Sequence, residues 1–335
     1  MGIRPTYGTL QRFRRRTRDL HVPGTVDGVA FPVSACWRLN GGGAVPFHVE
    51  SIPDDGVDWV HDYKASPAEL RCRDQGDFTV EFSSDHPDLV AGDNRLAIEM
   101  RDADGRSVAC TIRFDWDPVP VPLPLDISDL SGVRSVQDVG QVVAGAFDVD
   151  PVSGVIRSRA PVHPDSLLVL GGAHASQEAT YNVRFLDFTG VKWLGPSDFF
   201  VGFEDKDPPI GIKTGWSSAG MAALNPRGEA RSFISWGDHS GTRREWVVVT
   251  DPPARFPVER RRLYSVRHQV LFAEGTDTVR FRIWPADEPE PDTWLCQEDD
   301  AGIDPAFPRH RSASFGLFQH SGMPIEWSNI RVVAL

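Results

Sequence analysis

Hydrophobic and polar residues alternate along two neighbouring runs in the last third of the chain. In the first run Tyr264, Val266, Val270 and Phe272 occupy every second position, together with His268. A period of two is typical of β-strands that bury one face. We therefore predict a strand here, with these five side chains on its dry side.

The second run repeats this pattern with Val279, Phe281 and Ile283 as its apolar set. Between the two runs lies a short segment that contains Gly275 and Asp277, residue types that favour tight turns. The two runs are therefore predicted to pair as a β-hairpin.

The opposite side of the predicted hairpin is polar. Since cross-strand neighbours share a face, we expect the following side chains to lie together: Arg267, Gln269, Arg280, Arg282 and Trp284. Guanidinium, amide and indole groups suit a polar ligand with flat apolar faces, such as a sugar. These five residues are the predicted ligand-binding set.

Similar short runs, separated by glycine and proline, fill most of the remaining chain and predict an all-β fold. Alternating prolines near residue 120 favour an extended linker. We therefore divide the chain into a basic segment at 1–24, a small β-sandwich at 25–117, a linker at 118–129 and a larger sandwich at 130–335.

The small unit resembles immunoglobulin-like and cadherin-like bacterial modules. Residues 76–80 are followed by 89–98, whose Leu-x-x-Gly-x-Asn-x-Leu pattern precedes a turn at 102–105. The resemblance implies a small β-sandwich that spaces or supports its neighbour.

The larger unit resembles the concanavalin A-like, laminin-G-like jelly rolls. The resemblance rests on the two alternating runs, on residues 284–294, where two tryptophans enclose Glu-Pro-Glu-Pro, and on the closing runs 314–318 and 327–333. It implies a sandwich whose concave sheet face binds saccharide, with calcium often bound at a loop edge. It does not identify a reaction.

Composition limits the kinds of partner that the protein is expected to bind. The chain of 335 residues carries a net charge of −12, which disfavours a general affinity for nucleic acid. No apolar run is long enough for a transmembrane helix, so membrane insertion is not expected. The N-terminus lacks an apolar signal core, which indicates a cytoplasmic protein, or a secreted one from which a signal was removed.

Six arginines and a single acid lie in the first 24 residues. We expect a solvated or self-docked tail, with nucleic acid or phospholipid binding as the alternative. The four cysteines are too scattered for a disulfide framework, although a Cys36–Cys110 bridge stays open for an exported protein.

Catalytic candidates are few. The Glu-x-Asp-x-x-Glu strand of jelly-roll glucanases is absent from the sequence, and Glu288, Glu290 and Asp292 are predicted to be solvated. A polysaccharide lyase needs a base near arginines, for which Tyr264 and His268 have the right chemistry. Alternation, however, places both on the dry face, where His268 is expected to be a hydrogen-bonded core residue.

A glycine-flanked loop at 236–241 offers two further candidates. His239 is a candidate acid or base, and Trp236 a candidate ligand platform, because functional residues concentrate in such loops. A histidine that stabilises the loop by pairing with Asp238 is the alternative.

Among metal ions, calcium is the one cofactor that the sequence supports. Asp299, Asp300 and Asp304 surround a glycine in one acidic loop, and a second acidic loop spans 54–62. Calcium prefers clustered oxygen ligands, but solvated acidic loops are more common.

Three hypotheses remain. The leading one is a carbohydrate-binding or carbohydrate-processing jelly roll with a supporting module. The second is a polysaccharide lyase or glycoside hydrolase that uses the same face. The third is a structural or adhesion protein without catalysis, for which a homo-oligomer is expected.

Overall fold

The structure is a computed structural model that describes residues 2–52, 72, 74–159, 162–189, 193–200, 218–236, 246–302, 311–322 and 324–335. The described residues form four β-sheets, which confirms the predicted all-β sandwich class. Within this part of the chain no helix has the length and apolar character needed to cross a membrane.

The N-terminal sandwich consists of a three-stranded and a five-stranded sheet. The first has the order β1-β3-β6 and the second β2-β8-β7-β4-β5. The strands are β1 (Gly2–Pro5), β2 (Leu10–Phe13), β3 (Asp19–Asp27), β4 (Ser34–Leu39), β5 (Val45–Phe47), β6 (Asp77–Ser83), β7 (Gly92–Arg101) and β8 (Ser107–Trp116).

The basic N-terminal segment forms strands of this sandwich and is not a solvated tail. It packs onto the body, as the self-docked alternative expects. Strands β1, β2 and the start of β3 all lie within the first 24 residues, and Phe13 and Leu20 are fully buried in the core. Their arginines pair with acids of the body, as Arg14 does with Asp115 and Arg16 with Asp85. The alternating runs in this segment are too short to predict strands. Burial of Phe13 and Leu20 in the core stabilises the segment as part of the sandwich.

The proline-rich segment is also more than a spacer. Residues Leu125–Ile127 form β9, which pairs with a strand of the larger sandwich, and Val121 is buried in that sandwich's core. A short 3₁₀ turn follows at Val136–Asp138, capped by the Ser135 side chain.

The larger sandwich has two eight-stranded sheets. The β15 sheet has the order β10-β13-β23-β15-β16-β17-β18, with β19 beside β17. Its strands are β10 (Gln141–Ala144), β13 (Val162–Val169), β15 (Leu194–Phe200), β16 (Ser218–Leu224), β17 (Glu229–Trp236), β18 (Trp246–Val249), β19 (Ala254–Arg255) and β23 (Ser314–Gly322).

The β20 sheet has the order β11-β12-β24-β14-β20-β21-β22, with β9 beside β24. Its other strands are β11 (Phe147–Asp150), β12 (Val155–Ser158), β14 (Gln177–Phe185), β20 (Leu263–Phe272), β21 (Asp277–Pro285), β22 (Cys296–Asp299) and β24 (Ile325–Ala334). Half of the neighbouring pairs along these two strand orders are not consecutive in sequence, because the chain passes repeatedly from one sheet to the other.

The two sheets pack face to face around an aromatic core. The indole of Trp327 donates a hydrogen bond to the carbonyl of Pro196 at 2.8 Å, and the ring of Tyr181 lies 5.9 Å from that of Phe315. These residues come from opposite sheets and are almost fully buried. The contacts fix which face of each sheet points inward.

The outward faces of the two sheets differ. On the β15 sheet Leu167, Val169, Phe200 and Phe318 form a second buried apolar cluster. On the β20 sheet the outward positions are polar and only partly buried. Among the described residues, the polar sheet surface of the larger sandwich is therefore the outer side of the β20 sheet.

Hydrogen bonds connect the two sandwiches. The Tyr7 hydroxyl donates to the carbonyl of Phe147 and accepts from its N–H, while Gln137 donates to Gln11 at 2.8 Å. Arg12 pairs with Asp138 across the same boundary. Independent folding of each sandwich stays a prediction.

Candidate functional site

The predicted hairpin forms, and its pairing brings the outward residues together. Arg267 lies opposite Arg282, Gln269 opposite Arg280, and Ser265 opposite Trp284. The turn between the strands contains Gly275 with φ of +98°, a conformation that glycine adopts without strain. The five side chains predicted to share a face therefore do so.

Burial separates the two faces cleanly. The inward set of the two strands is buried, namely Tyr264, Val266, His268, Val270, Val279, Phe281 and Ile283. The arginines and Trp284 on the outward side are half-buried, and Gln269 is the exception at 7% exposed. Alternation alone predicted this division.

Arg267 is the centre of the polar face. Its Nε and Nη2 donate to the two carboxylate oxygens of Glu290 at 2.5 and 2.9 Å, which is a bidentate pair. Its Nη1 donates to Glu178, on the neighbouring strand β14. Two acids from different elements therefore hold one guanidinium.

Arg282 shares the carboxylate of Glu290. Its Nη2 lies 2.5 Å from Glu290 Oε1, and its Nη1 donates to the carbonyl of Pro291 at 2.6 Å. Its Nε is buried and has no hydrogen-bond partner among the residues that the structure describes. This guanidinium therefore keeps one donor unused.

Trp294 contacts two of the arginines. The guanidinium carbons of Arg280 and Arg282 lie 4.5 and 4.6 Å from the centroid of its ring, within the range of cation–π attraction. Arg280 also donates from Nε to Gln269 at 2.7 Å. The arginines and this indole therefore form one connected surface.

Both parts of this surface now receive names. The arginine cluster consists of Arg267, Arg280 and Arg282. The strap is the connection between β21 and β22, residues 286–295, which folds back over the cluster and carries Glu290, Pro291 and Trp294.

The ion pair between Arg267 and Glu290 shifts the pKa of both groups. Hydrogen bonds from Arg267 lower the pKa of Glu290, and Arg282 lowers it further. Desolvation acts in the opposite direction but is outweighed. The pKa of Arg267 is raised, with the hydrogen bond to Glu290 as the largest cause. Each member of the pair therefore holds the other in its charged form.

The polar face continues beyond the cluster onto β14, β24 and β12. The Ser265 hydroxyl donates to Asn182 at 3.0 Å. Further along, the buried carboxylate of Glu326 accepts from both Arg157 and Arg184. Hydroxyl, amide and charged groups therefore line this face of the sheet.

His268 lies on the other side of the sheet. Its Nδ1 is 2.9 Å from the hydroxyl of Ser197, which is 2.6 Å from the hydroxyl of Tyr181. All three are buried, and desolvation lowers the pKa of His268 to about 3 and raises the pKa of Tyr181. The imidazole is thus the hydrogen-bonded core residue expected from alternation.

Tyr264 is buried in the same core. Its hydroxyl accepts a hydrogen bond from the N–H of Glu259 at 2.7 Å, and its ring contacts Phe185 and Phe256. Desolvation raises its pKa. Neither Tyr264 nor His268 reaches the arginine face, so a lyase mechanism with either as base gains no geometric support.

Several of the other candidate residues lie outside the residues that the structure describes. His239 and Asp304 lie outside the described residues, as does the acidic loop at 54–62, and of Trp236 only the backbone position in β17 is described. Asp299 is exposed and accepts from the N–H of Ala301, whereas Asp300 is buried and accepts from the N–H of Asp277. Within the described residues no three acidic, histidine or cysteine side chains come together as metal ligands.

The sequence reasoning missed three members of the site. Glu290 was expected to be solvated, Trp294 was noted only within a family pattern, and Glu178 was not considered. The available signal was the position of Glu290 between two prolines, because proline restricts the backbone and favours a fixed loop path.

Comparisons with known proteins give only distant likenesses. No family model and no curated protein matches the chain. Among solved structures, a bifunctional GH43-CE protein of Bacteroides eggerthii is 10% identical with a TM-score of 0.37; the match covers 96% of this chain and 50% of that one. The chain thus spans half of the length of that protein.

A structure titled for carbohydrate-binding modules of the β-sandwich superfamily is 8% identical with a TM-score of 0.22, over 99% of this chain and 98% of the other. The secreted serine protease VesC of Vibrio cholerae is 10% identical with a TM-score of 0.17, over 98% and 50%.

Proposed function

We propose that the chain is a carbohydrate-binding protein whose ligand lies on the polar face of the β20 sheet. One observation carries the proposal: the arginine cluster and the Trp294 ring form a continuous surface beside hydroxyl and amide groups. A sugar ring offers an apolar face for an indole and hydroxyls that hydrogen-bond to charged groups.

Preorganisation supports the same proposal. Arg267, Arg282 and Gln269 are each fixed by hydrogen bonds to protein groups before any ligand arrives. Side chains that are already ordered lose little entropy on binding, so each contact contributes more to affinity. Residues on sheet strands are also better positioned than residues on loops.

Binding without hydrolysis fits the described acids best. Glycoside hydrolysis needs two carboxylates that flank the scissile bond, one of them able to donate a proton. On this face Glu178, Glu290 and Glu326 are all ion-paired with arginine. The lowered pKa of Glu290 makes this acid a poor proton donor.

The finer fold assignment belongs to the same proposal. We propose that the larger sandwich is a concanavalin A-like, laminin-G-like jelly roll, with an immunoglobulin-like module in front of it. Two packed antiparallel sheets with frequent crossings between them support the assignment, as do the sequence patterns of the final strands.

A glycan array probed with the full chain is the direct test. The same array should be probed with Trp294→Ala and with a matched control, Trp193→Ala. Trp193 is also half-buried and also has an arginine, Arg231, 5.7 Å from its ring, but it lies on the β15 sheet. We expect Trp294→Ala to lose signal on every positive glycan and Trp193→Ala to keep it.

Two results would oppose the proposal. An array without any positive glycan would argue against saccharide binding itself. Positive glycans that lose signal with Trp193→Ala, and not with Trp294→Ala, would move the site to the other sheet. Product analysis on each positive glycan then separates binding from cleavage.

A second candidate function is an interaction module that binds no small ligand. It is favoured by the internal pairing of Arg267 and Arg282, since acids of the chain already occupy most of their donors. In that case the polar face has a structural role, and a stable oligomer in solution is the expected observation.

A further inference from the structure

The position of Glu290 resembles that of a bound ligand. Its carboxylate accepts two parallel hydrogen bonds from Arg267 and lies within ion-pair distance of Arg282. This fork geometry is the one by which proteins recognise a free carboxylate. The acid comes from the strap, whereas both arginines come from the rigid hairpin of β20 and β21.

The described residues do not fully neutralise the arginine cluster. Among them, its three guanidiniums face two carboxylates, those of Glu178 and Glu290, which leaves one positive charge in this part of the structure. The buried Nε of Arg282 is also a donor without a partner among the described residues. Both features favour a further anion, or a differently shaped one, at this position.

Glu290 lies on a loop, whereas the arginines that it contacts lie on strands. It is 30% exposed and lies between Pro289 and Pro291, neither of which has an N–H to donate. The strap residues before it, Ala286 to Pro289, are exposed. The strap is anchored on either side, by Glu288 to Arg262 and by the N–H of Leu295 to the carbonyl of Phe281.

We propose that Glu290 occupies a carboxylate-binding position that a sugar acid takes in the bound state. The ligand class is a uronate, a sugar whose carboxylate replaces Glu290 on Arg267 and Arg282 and whose ring contacts Trp294. This inference rests on the proposed saccharide-binding function and specifies its substrate class.

Competition determines the affinity. While Glu290 is seated, a ligand carboxylate binds only in the fraction of molecules in which the acid has moved away, so the apparent affinity is lowered by that fraction. Removing the internal acid removes this competition. A variant that lacks the Glu290 charge should therefore bind uronates more tightly than the native chain does.

Titration calorimetry on the full chain tests this point. The probes are galacturonate and glucuronate, with galactose and glucose as neutral counterparts that differ only in the charged group. The proteins are the native chain, Glu290→Gln and the control Asp292→Asn, which removes an exposed acid of the same strap. Thermal unfolding of each variant establishes that it is folded, and Glu290→Ala serves as the second variant if Glu290→Gln is not.

We expect Glu290→Gln to bind at least one uronate about tenfold more tightly than the native chain, and Asp292→Asn to match the native chain. Neutral sugars should show no such gain. Unchanged uronate affinity in Glu290→Gln, or an equal gain for neutral sugars, would overturn the inference.

The two proposals fail in different ways. If the array identifies neutral glycans and Glu290→Gln gains nothing toward uronates, the carboxylate position is wrong and saccharide binding stands. If neither the array nor the titrations show any sugar, saccharide binding itself is wrong.

Discussion

The two sides of strands β20 and β21 satisfy their polar groups in opposite ways. On the dry side the polar chain from His268 through Ser197 to Tyr181 is surrounded by aromatic rings, with Phe199 only 4.7 Å from the imidazole. On the wet side Arg267 pairs with acids from β14 and from the strap, and Arg282 shares the acid of the strap. The same alternation therefore separates a packed apolar side from a charged polar side.

The largest expected effect comes from the dry side. Phe281 is completely buried between the two sheets, so Phe281→Ala removes packing and leaves a cavity. We expect a loss of about 3–5 kcal/mol in the free energy of unfolding, measured with chemical denaturant. A loss below 1 kcal/mol would show that the core relaxes around the cavity and would weaken the comparison.

The second-largest effect is expected for the hydrogen-bonded chain of His268, Ser197 and Tyr181. Ser197→Ala leaves the Tyr181 hydroxyl and His268 Nδ1 without the partner that joins them. An unsatisfied buried polar group costs about 1–3 kcal/mol, which denaturant unfolding can resolve. The control Ser265→Ala removes a hydroxyl from the wet side of the β20 sheet and should cost less, because water can replace it.

His268 makes stability depend on pH. Its folded pKa is about 3, far below the ordinary value of 6.5, so between these values the unfolded chain binds the extra proton. Stability is therefore complete above pH 6.5 and falls as the pH falls towards 3. From pH 7.5 to 5.5 we expect a loss of about 1 kcal/mol from this residue.

Denaturant unfolding of the native chain and His268→Leu at several pH values checks this dependence. The variant starts less stable, since it lacks the hydrogen bond to Ser197, but should lose less stability on acidification. Parallel pH profiles for the two proteins would contradict the assignment of a neutral, buried imidazole.

On the wet side Arg282→Ala should have a smaller effect on stability, about 1 kcal/mol. Its guanidinium is 16% exposed and binds Pro291, Glu290 and Trp294, so its removal loosens the strap without opening the core. Thermal unfolding measures the cost. A loss as large as that of Phe281→Ala would show that the strap is part of the core.

The smallest stability effect is expected for Arg280→Ala, about 0.5 kcal/mol or less, because its described partners, Gln269, Gln297 and Trp294, are all uncharged. Saccharide affinity should nevertheless fall about tenfold, since a charge-assisted hydrogen bond is lost. Calorimetric titration against a glycan found on the array provides the comparison. Unchanged affinity would remove Arg280 from the site.

Local patterns predicted the hairpin and its two faces because side-chain alternation and turn residues act over a few positions. The structure adds the register, in which Arg267 lies opposite Arg282. The strap could not be predicted in the same way. Its path depends on contacts between Glu290 and residues up to 23 positions away, which no local pattern records.

The N-terminus illustrates the same limit. Runs such as β2, with only four residues, carry too little alternation to predict a strand. Their place is set by pairing with β8, about a hundred residues later, and by burial of Phe13. Long-range pairing of this kind is decided by the whole fold.

The central claim is that saccharide binds on the polar face of the β20 sheet. Hydrogen–deuterium exchange of the full chain, with and without a glycan found on the array, tests it most directly. The account predicts slower exchange confined to peptides that cover β14, β20, β21 and the strap. Protection on the β15 sheet or on the N-terminal sandwich, with none on the strap, would contradict it.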